Sequence, residues 1–433
     1  MTSTLINPFL FGNPVPTDRL VNRTREIRRL AGRIQTGQSS ALIGDPRSGK
    51  TSLLHYLMDD ANRSNLYGEA ASTLFFCYLD AQTLSGFNAA RFWQFALQPV
   101  QRAALDRRGD LLKAYQTCEK EGFTTFVLER LLMQMQANGL RLALLLDEFD
   151  FILHIPELNK AEFYGGLRSL ASRYNRALSV LIAARQSVDA LNRQTQEFSR
   201  NGSPFFNFLE EIVLGQFSAK AAGDLLALDK RFTPAERQAL YRLCGGHPYL
   251  LQAAASALWD AYQEKEDDPA RRLASVQKFL LAQAAPTLAD TWRVWTPAAR
   301  RAFTILALDS APTLLGERRF DLNALLGTLH ENTPEIHFLE QCGYISSDNQ
   351  LASGWQISAE MMIHWLALEL TIALRSNDEL GGWLSAQEWD GLFTKAEKAQ
   401  LVKAASGLGA LLKGGVEVFI KAGAEGAAKG MTK

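Results

Sequence analysis

The rhythm of apolar and polar positions changes twice over residues 39–372. In the first half, short apolar runs recur at residues 39–43, 73–79, 140–146, 177–184 and 211–214. The run from Leu142 to Leu146 is unbroken, which predicts a strand covered on both faces. Segments of helical period lie between these runs, at 52–58, 91–105, 124–136 and 162–174. Strands alternating with helices predict an α/β fold, a parallel sheet with helices on both faces. From about Ser218 the strand signal stops, and AKAAGDLLAL, PAERQALYRL and YLLQAAASALWDAYQ predict helices alone. Across 296–372 the rhythm changes again. TPAARRAFTILAL predicts a helix. HFLEQCGYISSDNQLASGWQIS predicts a helix and then a hairpin with strands at 343–346 and 355–358. AEMMIHWLALELTIAL predicts a further helix. Helices ending in a two-stranded wing suggest a winged helix.

The first two strands of chemical interest end in polar clusters. In ALIGDPRSGKTSLL, residues 41–54, an apolar run stops at Gly44, passes Asp45, Pro46, Arg47 and Ser48, and reaches Gly49, Lys50, Thr51 and Ser52 before a helix begins. This is G-x-x-x-x-G-K-[ST]. The glycines let the backbone curl so that successive N–H groups point inward, and the following helix adds its own unpaired N–H groups and positive dipole end. Lys50 supplies a charge for outer phosphates and Thr51 a hydroxyl ligand for Mg²⁺. The loop fits a nucleoside triphosphate. Arg47 can reach phosphate or a neighbouring subunit, or form an ion pair outside the loop. In LRLALLLDEFD, residues 140–150, the buried run ends in Asp147 and Glu148. Ligands of open α/β sheets sit at the carboxyl ends of strands, so both acids are expected beside the loop. Asp147 is the candidate for Mg²⁺, and Glu148 for orienting or deprotonating the attacking water. A glutamate directly after the metal acid points to hydrolysis.

Composition adds limits. With 433 residues the chain has room for two or three domains. Its 46 basic and 46 acidic side chains cancel, so no global field draws nucleic acid or anionic lipid. Four cysteines, Cys77, Cys118, Cys244 and Cys342, lack ligand spacing and suit reduced thiols in a cytoplasmic protein. MTSTLINPFLFGNP lacks the features of a signal peptide, and no stretch reaches the 18 apolar residues of a transmembrane helix.

Four stretches together resemble the STAND class of AAA-like signalling ATPases, relatives of the archaeal and origin-recognition-like P-loop ATPases. They are GDPRSGKTSLL, LALLLDEFD, LSVLIAARQS and GGHPYLLQAA, and the likeness runs from about residue 7 to 375. It implies a P-loop sheet of the additional-strand type over residues 1–217. A helical lid (218–290), a winged-helix domain (291–375) and a C-terminal extension (376–433) with a short amphipathic tail would follow. It implies ATP or ADP with Mg²⁺ as ligands. Arg185, ending the strand in the third stretch, would sense the γ-phosphate, and Pro248 would contact adenine or ribose from the lid. LVNRTREIRRL resembles the segment that packs on the base. Arg23 and Glu26 match it, Asn22 stands where glycine is usual, and Thr24 where glutamate is usual. Plain structural roles remain open too: an ion pair for Arg185, a first-turn helix position for Pro248. His247, Trp292 and Trp295 are expected to be structural.

A winged helix invites a DNA-binding role, but residues 292–375 hold six arginines, no lysines and nine acids, a poor supply of phosphate contacts. In the resembling class the winged helix is an intramolecular clamp, shut with ADP and swung by ATP. The tail, residues 394–433, has seven lysines against three glutamates. Leu401, Ala405, Leu408, Leu412, Val416 and Phe419 make one apolar stripe, interrupted by glycines that disfavour a free helix. Its expected partner is a membrane, another protein, copies of itself, or its own domain. The resulting expectation is an ATP-controlled switch with slow hydrolysis, forming homo-oligomers in the ATP state and acting with a separate effector or sensor, as in bacterial defence or stress signalling. The alternatives are a DNA-associated ATPase of loading or transposition type and an inactive nucleotide-binding scaffold.

Overall fold

The computed structural model describes residues 6–107, 109–199, 203–315 and 326–373, with 382 and 385. The tail at 394–433 lies outside the described residues, as does the rest of the 376–433 extension apart from 382 and 385. The chain folds as two compact units. One comprises residues 14–45 and 49–214; the other takes residues 6–13, 46–48 and the described residues from 215 onward.

The first unit is a parallel sheet between helices. In chain order it runs α1 (Thr24–Gln35), β1 (Ser40–Ile43), α2 (Lys50–Met58), α3 (Asp60–Tyr67), β2 (Leu74–Asp80), α4 (Ala89–Ala96) and α5 (Gln98–Arg107). It continues with α6 (Gly109–Lys120), α7 (Thr125–Ala137), β3 (Arg141–Asp147), α8 (Ala161–Arg173), β4 (Leu178–Ala184), α9 (Val188–Gln194) and β5 (Glu210–Val213). The strand order is β2-β3-β4-β1-β5, all parallel. The sheet therefore carries β4 as an extra strand between β1 and β3. Successive side chains serve opposite faces. Leu142, Leu144, Leu146, Val180 and Ile182 pack in one core with Leu131 and Phe163. Ala143, Leu145, Leu181 and Ala183 pack in the other with Leu30, Leu53, Leu54 and Leu57. Two buried faces explain why β3 reads as an unbroken apolar run.

One expected element differs. The helical segment expected over 91–105 is two helices, α4 and α5, parted at Leu97. Pro99 is the cause. It lies in the first turn of α5, where its missing N–H leaves no gap, whereas inside one continuous helix its ring would clash with the carbonyl four residues before it.

The second unit is helical with a small hairpin. Its elements are α10 (Ala219–Leu226), α11 (Pro234–Cys244), α12 (Pro248–Gln263), α13 (Pro269–Val294), α14 (Pro297–Leu315), α15 (Thr333–Gln341), β6 (Ile345–Ser347), β7 (Trp355–Ile357) and α16 (Glu360–Ala373). β6 and β7 pair antiparallel. Trp292 and Trp295 are buried among Phe303, Tyr344 and Trp365, with ring centroids 4.8 Å apart for Trp295–Tyr344 and 5.4 Å for Trp292–Trp365. The segment after β5 lies against the turn between α11 and α12 and the turn between α15 and β6, since Phe217 N–H donates to Gly246 O (2.8 Å) and Gln216 N–H to Cys342 O (3.3 Å). Gly246 has φ 86°, and a Cβ there would stand 2.4 Å from Phe217 O, so only glycine fits.

The N-terminal residues form a strap on the same unit. Asn7 Nδ2 donates to Ser256 Oγ (2.9 Å), and Leu10 N–H donates to Gln252 Oε1 (3.0 Å). Phe9 stacks on Phe232 with centroids 5.4 Å apart, and Phe11 meets Tyr249 and Phe279 edge-on. Among the described residues no helix is long and apolar enough to cross a membrane.

Candidate functional site

The carboxyl ends of β3, β4 and β1 lie side by side on one edge of the sheet, because β4 pairs parallel with both of the others. Gly44 extends the ladder, its N–H donating to Ala184 O at 3.1 Å. The chain then turns through Arg47 (φ 60°) and Gly49 (φ 99°), both left-handed, and enters α2 at Lys50. Gly49 is where the loop hands over to the helix, and its φ is one that side chains rarely adopt. Asp45, Ser48, Lys50 and Ser52 are buried. The Ser52 hydroxyl accepts from Val15 N–H (2.9 Å), which ties the residues before α1 to α2.

Lys50 is the most telling member. Its ammonium donates to Gly44 O (2.8 Å) and Asp45 O (3.1 Å) and, among the described residues, forms no ion pair. Burial pushes its pKa below the ordinary lysine value, and the surrounding Glu148, Asp150, Asp147 and Asp45 pull it back up only in part. A buried cation held by carbonyls alone favours an arriving anion.

At the end of β3, Asp147 is buried and fully engaged. Its Oδ2 accepts from the Thr51 hydroxyl (2.6 Å) and the Tyr78 phenol (3.0 Å), and its Oδ1 from Glu148 N–H (2.9 Å). Burial raises the Tyr78 pKa well above the ordinary value, with the Asp147 charge and hydrogen bond adding to it, so the phenol stays a donor. The Thr51 and Asp147 pair offers oxygen atoms only, and would suit a hard cation such as Mg²⁺. Among the described residues no cluster of three or more His, Cys, Asp or Glu could hold a metal by itself.

Glu148 has φ 48°, a left-handed backbone in a non-glycine residue. Its Oε2 accepts from Arg185 Nε (2.9 Å) and Nη2 (2.6 Å). The ion pair open to Arg185 is thus formed, and its partner is the other candidate for the chemistry. Asp150, on the same turn, accepts from the main-chain N–H groups of Arg185 and Gln186.

Residues 20–267 match the family model of an AAA-like domain, more than half of the chain. The chain belongs to the AAA-like domain family.

This AAA-like protein also resembles solved structures. The Walker-type ATPase PABY2304 of Pyrococcus abyssi is 14% identical with a TM-score of 0.49, the match covering 83% of this chain and 99% of that one. The Aeropyrum pernix ORC1 protein in complex with DNA is 16% identical with a TM-score of 0.36, covering 83% and 95%. The Aeropyrum pernix ORC2 protein, in ADPNP–ADP complexes, is 13% identical with a TM-score of 0.42, covering 80% and 93%. A search of curated proteins gives no significant match.

The remaining candidate residues of the AAA-like protein lie as follows. Arg23 is buried just before α1, and burial presses its pKa down to about 10 against the pull of Glu26. Asn22 has φ 36°, so the place where glycine was expected does need a left-handed residue, and asparagine tolerates it better than most. Pro248 opens α12 in the helical unit, preceded by buried His247. Arg47 groups with that unit too, and its guanidinium stands 4.4 Å from the Tyr249 ring centroid. Tyr78 and Asp150 were not foreseen. The signal for Asp150 is present, a third acid three residues after Asp147; Tyr78 is a single polar residue in an apolar strand and gives no comparable sign.

Proposed function

We propose that this AAA-like protein binds ATP with Mg²⁺, hydrolyses it slowly, and uses the nucleotide state to run a switch of the STAND signalling type. The buried Lys50 ammonium, held only by loop carbonyls, is the observation that supports this best. In this reading residues Gly44, Asp45, Pro46, Arg47, Ser48, Gly49, Lys50, Thr51 and Ser52 cradle the phosphates. Thr51 and Asp147 hold Mg²⁺, which would screen phosphate charge. Glu148 orients or deprotonates water, and Arg185 meets the γ-phosphate. Arg23 and Pro248 contact the base or ribose. The helices around the β6–β7 hairpin act as a winged-helix clamp, the ATP state forms homo-oligomers, and a separate protein carries the signal in the cytoplasm.

DNA loading is the competing role, and the ORC1 neighbour is described in complex with DNA. Six arginines, no lysines and nine acids across 292–375 favour the switch. Calorimetry tests the core of the proposal: Lys50→Ala is expected to weaken ATP binding at least a hundredfold, and an unchanged affinity would overturn the nucleotide assignment. Particle mass with ADP, ATP and a non-hydrolysable analogue, with and without DNA, separates the two roles. Growth of the particle with ATP alone supports the switch, and salt-sensitive binding to DNA supports loading.

A further inference from the structure

Two carboxylates on one short turn grip the same arginine from different sides. Glu148 and Asp150 flank Phe149, which is fully buried and fixes the turn in the core. Glu148 Oε2 holds the Arg185 guanidinium through Nε and Nη2. Asp150 Oδ1 and Oδ2 accept from Arg185 N–H at 3.1 Å each, and Oδ1 also accepts from Gln186 N–H at 3.2 Å. Among the described residues Asp150 makes no ion pair; its bonds go to main chain. These contacts cross from β3 to β4, whose ends are neighbours only because β4 pairs with β3.

We infer that Asp150 is a positioning residue: it fixes the main chain of Arg185 so that the guanidinium closes on Glu148 without a γ-phosphate and turns from the same pivot to a γ-phosphate when one arrives. The inference rests on the ATPase reading above. While the guanidinium occupies Glu148 Oε2, that oxygen is closed to a water. A γ-phosphate brings a competing anion to the same guanidinium, and the oxygen is freed as the phosphate is engaged. The Glu148–Arg185 pair therefore holds one of the two oxygens of the hydrolytic carboxylate. Asp150 matters because an arginine side chain has several rotatable bonds. Its reach to two alternative partners depends on where its Cα is held. An acid suits this task, since charge-assisted bonds to two adjacent N–H groups are stronger than neutral ones.

The experiment is a double-mutant cycle in ATP turnover on the full chain. Asp150→Ala is expected to lower kcat at least tenfold with KM for ATP within twofold of wild type. Asp150→Asn, which keeps the oxygen that accepts from both N–H groups, should restore kcat to within about threefold. In the Arg185→Ala background, Asp150→Ala should cost no further turnover, because the pivot has nothing left to aim. Should Asp150→Ala not fold, Asp150→Ser takes its place, its hydroxyl being too short to bridge both amides. Additive losses in the double variant, or wild-type kcat in Asp150→Ala, would overturn the role given to Asp150 while leaving the ATPase reading intact. A wild-type chain that neither binds nor turns over ATP would overturn both.

Discussion

Glu148 carries a backbone conformation that costs a non-glycine residue roughly 1–2 kcal/mol. Such a residue persists only where its surroundings hold it, here the Asp147 oxygen under its N–H and Arg185 on its side chain. Replacing Glu148 by Gln keeps the shape and removes the proton acceptor. The expected result is ATP bound as in wild type and turnover lower by about 10²-fold or more, measured by single-turnover hydrolysis beside equilibrium binding. Asp147→Asn should instead raise the Mg²⁺ concentration needed for half-maximal binding of ATP. A second residue-scale outcome concerns His364, which burial drives down to a pKa of about 4. The folded state then binds fewer protons than the unfolded chain between pH 6.5 and 4, so stability is full above the unfolded pKa and falls as pH drops through that window. The loss is roughly 3 kcal/mol at most. His364→Leu should remove that part of the acid sensitivity, read as the difference between two urea-unfolding series, in which the opposing titration of neighbouring Glu360 cancels.

At the scale of elements, α11, α12 and α13 are joined by one buried acid. Glu236 closes the capping box of α11 with Thr233, accepts from the Tyr262 hydroxyl of α12 (2.8 Å), and accepts from Arg272 Nε of α13 (2.9 Å). Burial alone would raise its pKa, but the Thr233, Tyr262 and Arg272 hydrogen bonds outweigh it and leave the carboxyl below its usual range. Arg272→Met should therefore cost about 3–5 kcal/mol, since it strands a buried charge, and Glu236→Gln with Arg272→Met should cost less than the single change. Chemical unfolding followed by far-UV circular dichroism checks both. The strands were legible in the sequence because burial on both faces writes them as apolar runs, and all five fall within a residue or so of their expected ends. The phosphate loop was legible because its spacing is local. The Glu148–Arg185 pair was not, because it depends on β4 lying between β1 and β3, and strand order is a non-local property. The break at Leu97 was visible in Pro99 but overridden by the apolar period around it.

For the whole molecule, the division into two units cuts across chain order. Residues 6–13 belong with the helices that begin beyond 215, although the whole sheet lies between them in sequence. Phe9 is buried there against Phe232, so Phe9→Ala should lower stability by about 3 kcal/mol or more. The loss should fall on the helical unit, read as faster amide exchange across α11 and α12 with β1 to β4 unchanged. The strap has a further consequence, for synthesis. Asn7 and Leu10 leave the ribosome well before the residues they bond, which follow 249 and 242 positions later. At roughly 5–20 residues per second, Phe9 and Phe11 wait on the order of 12 to 50 s for the surface that covers them. All five strands of the sheet have emerged by then, so a segment made before the sheet finds its place only after it.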